Sequence, residues 1–144
     1  MKAMHTMMLM ALLSTPAFAA SPIQNGAYKG AAQWKSSAAQ SGTYNVTTTI
    51  ADGTVTSSYA WDNGQTQTWT FSASPDANGV FEVVSGGQKV GEGYCFDVQC
   101  HYTAFNGNLE ETLTFYGNAL YKLGSKRVNG TTIIWQEQLS LTAR

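Results

Sequence analysis

Apolar and polar residues alternate with a period of two along most of the chain, and the alternation is interrupted at short, regular intervals. The runs Thr43–Ile50, Thr54–Trp61, Thr66–Ser72 and Thr131–Leu141 are rich in Thr, Val, Ile and aromatic residues, the pattern of half-buried strands. Between such runs fall Asp52-Gly53, Asn63-Gly64, Asn78-Gly79, Gly86-Gly87, the Cys95 to Cys100 segment, Asn106-Gly107, Gly117-Asn118 and Asn129-Gly130. The Gly and Asn residues of these dipeptides supply the positive φ angles that tight hairpin turns need. Counting strands between turns gives nine, and Gly26–Ser36 adds a tenth. Only Ser37–Gln40 leans toward helix.

Ten sequential antiparallel strands without crossover helices predict an up-and-down β-barrel, because closure removes edges that an open sheet must protect. A two-sheet β-sandwich is the alternative, since periodicity does not distinguish a closed sheet from two stacked ones. An outer-membrane barrel would share the meander. Short strands, the absence of long loops on one side and the final Thr142-Ala143-Arg144 speak against it.

The first nineteen residues read as an export signal. Lys2 gives a positive end, Met7 to Leu13 an apolar stretch, Pro16 a break, and Ala17-Phe18-Ala19 the small residues of a cleavage site. The apolar stretch falls well short of the roughly 20 residues that span a bilayer. Cleavage after Ala19 would leave a single domain of 125 residues, 20–144, secreted or periplasmic. The formal net charge of −1 offers no basic stripe for phosphates, so nucleic-acid binding is not expected. Nor is a membrane span in the mature form.

Export fixes the reading of the two cysteines. Cys95 and Cys100 would mature in an oxidising compartment, and four intervening residues suit a disulfide across the mouth of a tight hairpin, with Cα atoms about 4.5 to 5.5 Å apart. Closing so small a loop contributes about 2 kcal/mol in the chain-entropy description. The spacing is not that of a Cys-x-x-Cys redox pair, and two Cys with one His make a poor zinc site.

Gly26-Ala27-Tyr28-Lys29-Gly30, opening the first strand of a ten-strand meander, resembles the Gly-x-Trp start of the calycins, the lipocalin, fatty-acid-binding and nitrobindin-like barrels, with Tyr where Trp is usual. The resemblance implies a barrel that binds a small apolar or amphipathic molecule. The chain departs from the family in having no helix-turn-helix lid and no His near its C-terminus.

Parity identifies the candidate interior. In the last strand Ile133, Trp135, Glu137, Leu139 and Leu141 share one face, so Glu137 points where apolar residues point; Glu111, between Leu109, Leu113 and Phe115, does the same. A carboxylate so placed needs a partner. If Asn129-Gly130 is a two-residue turn, Lys122 opposes Glu137 and Trp135 lies over the vacant side of Gly124. A turn one residue longer would make Arg127 the partner. The cluster reads either as a structural ion pair or as the polar anchor of a ligand cavity walled by Trp61, Trp69, Trp135, Tyr59 and Phe71.

Catalysis finds little support, and no cofactor is implied. His101, the one histidine after the leader, has no serine elbow or acidic neighbour at triad spacing, and is expected to be a partly exposed strand residue. Glu110 and Glu111 should face opposite sides of a strand and cannot act together as acid and base. Two functions fit: a binding barrel for a small apolar or amphipathic molecule, or a structural or interaction protein of the cell envelope. The latter would have a filled barrel and an outer face that meets a protein partner, for example as an inhibitor.

Overall fold

The structure, a computed structural model, describes residues 21–143; the expected leader lies outside them. Ten strands follow one another: β1 Gly26–Ser36, β2 Ser41–Ala51, β3 Thr54–Trp61, β4 Thr66–Ser72, β5 Val80–Ser85, β6 Gln88–Phe96, β7 Gln99–Ala104, β8 Leu109–Tyr116, β9 Ala119–Val128 and β10 Thr131–Ala143. Every neighbour pairs antiparallel, and β10 returns to β1 over ten partnered positions to close the barrel. The up-and-down barrel expected from the strand pattern is the observed architecture, and the two-sheet alternative is not. Closure supplies the fold that the calycin resemblance implies. Ser37–Gln40 forms a turn, with Ala39 at φ 59°.

The register of the β9–β10 hairpin follows from its turn. Asn129 and Gly130 take φ values of 50° and 79°, the paired positive angles of a type I′ turn. Lys126 then faces Ile133, Gly124 faces Trp135, and Lys122 faces Glu137. This is the two-residue register, and the longer turn that would have paired Arg127 with Glu137 is not formed. Cys95 and Cys100 sit directly opposite at the end of the β6–β7 hairpin and form the disulfide, Cα atoms 4.0 Å apart, slightly closer than the range expected for opposed strands. Such a bond suits an oxidising compartment.

The turns divide the barrel into two ends. At the end carrying the disulfide, the interior is packed with apolar side chains: Tyr28, Ile50, Val55, Phe71, Phe81, Val83, Leu113, Phe115, Leu120 and Leu139 are all buried. Tyr28, the aromatic residue of the calycin-like opening motif, is one of them and meets Phe115 edge-on at 6.4 Å. The strands cross tightly here. A Cβ at Gly30 would run into the β10 backbone at Gln138, so glycine is required by close approach rather than by a turn. At the other end, the β1–β2, β3–β4, β7–β8 and β9–β10 connections surround a mouth. Outward, β2 to β4 present two cross-strand rows of hydroxyls, Thr47–Ser58–Thr68 and Thr49–Thr56–Thr70.

Candidate binding cavity

Between the packed end and the mouth lies a layer of charge. Lys122 projects inward from β9, fully buried, and places its Nζ 2.8 Å from Glu137 Oε2, 3.6 Å from Glu111 Oε2, and 3.2 Å from the Ser57 hydroxyl of β3, to which it donates. Ser57 in turn shares a 2.9 Å hydrogen bond with Thr48. The lysine therefore reaches across the lumen and ties β9 to β3.

Each carboxylate also draws a donor from two strands away, and in each case a small residue on the intervening strand leaves the path open. Trp135 of β10, Gly124 of β9 and Glu111 of β8 form one cross-strand row. The Trp135 indole lies over Gly124, where any Cβ would strike it, and its Nε1–H donates to Glu111 Oε2 at 3.0 Å. On the opposite side Glu137 of β10, Ala32 of β1 and Tyr44 of β2 form another row, and the Tyr44 hydroxyl donates to Glu137 Oε1 at 2.8 Å. Tyr102 of β7, directly opposite Glu111, donates to its Oε1 at 3.1 Å and accepts from Trp69 Nε1 at 3.3 Å. Glu137 Oε2 has the lysine as its charge partner, 2.8 Å away.

Burial and charge shift these groups in definite directions. Desolvation pushes the Glu111 carboxyl up, Lys122 opposes this, and Glu137 adds to it. Burial by itself would lower Lys122, but Glu111, Tyr59 and Glu137 outweigh it and hold the ammonium above its usual value. Burial pushes Tyr59 up to about 12, against the pull of Lys122, whose Nζ lies 5.6 Å from its ring centre. Tyr44 and Tyr102 are raised as well, by burial first and then by the carboxylates they contact.

Above this layer the barrel is open. A cavity of about 610 Å³ is walled by Tyr44, Tyr59, Trp61, Trp69, Tyr102 and Trp135 and reaches down to Glu111 and Glu137. Its rings support one another: Tyr44 lies 4.7 Å from Trp61 and 5.7 Å from Tyr59. Phe105 and Asn108 from the β7–β8 turn, with the exposed Lys126 and Arg127, form part of the mouth.

The structure brings together most of the residues that parity singled out. Trp61, Trp69, Trp135, Tyr59, Glu111 and Glu137 all line the cavity, while Lys122 lies behind the carboxylates and takes no part in its surface. Phe71 is a correction to the expected wall: it is buried in the packed end, stacked against Trp69 at 5.6 Å. Arg127 lines the mouth instead of pairing with a buried carboxylate. His101 is on the outside, half-buried, with Nδ1 3.0 Å from the Thr112 hydroxyl. Glu110 is exposed and Glu111 buried, as opposite faces require. Tyr44, Tyr102, Ser57 and Thr48 were not singled out beforehand, although their inward parity is readable. No protein-family model and no curated protein matches the chain.

Proposed function

We propose that the protein is an exported, calycin-like binding barrel that carries one small apolar or amphipathic molecule in its open end. The observation that carries this reading is the cavity: about 610 Å³, walled by aromatic faces, with two carboxyl groups at its floor and Asn108, Lys126 and Arg127 at its mouth. Ligand sites of small molecules have this size and this division between apolar wall and few polar contacts. The hydroxyl-rich outer face of β2 to β4 supports a barrel surrounded by water, and the disulfide supports passage through an oxidising compartment.

A neutral fluorescent probe, N-phenyl-1-naphthylamine, tests the reading. Its emission should rise saturably with one site per chain. Ile133→Trp, which fills the cavity from β10 without touching the ion cluster, should weaken binding about tenfold or more. A probe that fails to saturate, or binds both proteins alike, would sink it. The second reading, an envelope interaction protein acting through its surface, is favoured by the Thr and Ser rows of β2 to β4, and would leave function indifferent to Ile133→Trp.

A further inference from the structure

The floor of the cavity holds two carboxyl groups against one ammonium. The carboxyl groups of Glu111 and Glu137 end at it, and among the described residues the ion pairs to both come from Lys122 alone. The lysine is already engaged with Glu137, Ser57 and, at longer range, Glu111. It also sits behind them, so the nearly fully buried Glu111 and Glu137 side chains, rather than the ammonium, line the floor. Glu137 Oε2 is the oxygen held by the lysine, at 2.8 Å.

The walls have the same preference. Tyr44, Tyr59, Trp61, Trp69 and Trp135 surround the space above the floor, and aromatic faces attract cations through their quadrupole, most strongly where water is excluded. The mouth is opposite in sign. Lys126 stands four residues further along β9 than Lys122, a distance of about 13 Å along an extended strand, with Arg127 beside it.

We infer that the cavity takes an organic ammonium head first: the cationic group of an amphipathic molecule seats at Glu111 and Glu137 within the ring of Tyr44, Trp61 and Trp135, and the rest of the molecule extends toward Lys126 and Arg127. This rests on the binding reading above and names its ligand class. A carboxylate-headed amphiphile is disfavoured at the same place, because it would bring a third negative charge to a floor whose single ammonium is already engaged. The two cations at the mouth favour a neutral or anionic far end over a second ammonium. Burial raises the Glu111 carboxyl against the pull of Lys122, 3.6 Å away and shared with Glu137, so an arriving cation adds a second positive partner for ionised Glu111, and its binding strengthens as pH rises through the Glu111 titration.

Calorimetric titration with four probes of one chain length separates the possibilities: hexylammonium, hexyltrimethylammonium, hexanol and hexanoate. The two ammonium probes should bind at least tenfold more tightly than hexanol, and hexanoate most weakly. Glu111→Gln should abolish that advantage, so that ammonium and alcohol bind alike. Trp61→Leu, on the wall and away from the ion cluster, should cut ammonium affinity more than alcohol affinity, and decides the matter if Glu111→Gln does not fold. Hexanol or hexanoate binding as well as the ammonium probes would overturn the ligand class and leave the binding barrel standing. If none of the four binds, both readings fall.

Discussion

Lys122→Met is expected to lower the stability of the barrel by about 3 to 5 kcal/mol, the cost of removing one partner from a buried ion pair and leaving its opposite charge uncompensated. In this barrel the loss is compounded, because Lys122 is the partner of two carboxylates and also donates to Ser57 across the lumen. Thermal or urea unfolding followed by circular dichroism measures it, and the melting temperature should fall by roughly 10 to 20 °C for a domain of this size. The triple replacement Glu111→Gln, Lys122→Met, Glu137→Gln should recover most of the loss, since no buried charge is then left unpaired. Equal instability of single and triple variants would mean that packing of the lysine stem, rather than charge compensation, holds the layer together.

The second large effect is a collapse at alkaline pH. Tyr59 titrates at an ordinary value of 10.0 when unfolded and is pushed up to about 12 in the barrel; Tyr44, Tyr102 and Lys122 are raised too. All four hold their protons more tightly folded than unfolded. Their contribution is therefore fully present below about pH 10 and lost as pH rises through the folded values. Tyr59 alone accounts for something on the order of 3 kcal/mol by about pH 12. Deprotonation of Lys122 would also strip the carboxylates of their counter-charge. Near-ultraviolet circular dichroism should consequently be lost in one cooperative step above pH 10, the buried tyrosines ionising within that step, and Tyr59→Phe should make the decline of stability with pH less steep. Gradual ionisation of Tyr44, Tyr59 and Tyr102 near pH 10, with the barrel intact, would contradict this account of the layer.

What could be read from the sequence was local. A positive-φ dipeptide such as Asn129-Gly130 fixes its hairpin by itself, and once the register is fixed, period two turns Lys122 and Glu137 toward each other and Trp135 onto Gly124. The partners that complete the layer are not local. Tyr44 lies 93 residues from Glu137, and Ser57 lies 65 from Lys122. Barrel closure and curvature bring them to one level, and neither follows from alternation along a single strand. The small residues that open the paths, Ala32 and Gly124, are informative only when the cross-strand rows are known. Phe71 shows the same limit from the other side: parity turns it inward, but its height along the barrel axis decides that it packs the closed end rather than the cavity. Whether the barrel was filled depended on that height for every inward residue at once.

Native mass spectrometry of the protein purified from its own source bears most directly on the binding cavity. The folded chain should carry one additional small molecule, retained under gentle ionisation, released on unfolding, and missing from the Ile133→Trp variant. A native spectrum showing only the mass of the chain, alike in the wild-type and Ile133→Trp proteins, would contradict the account.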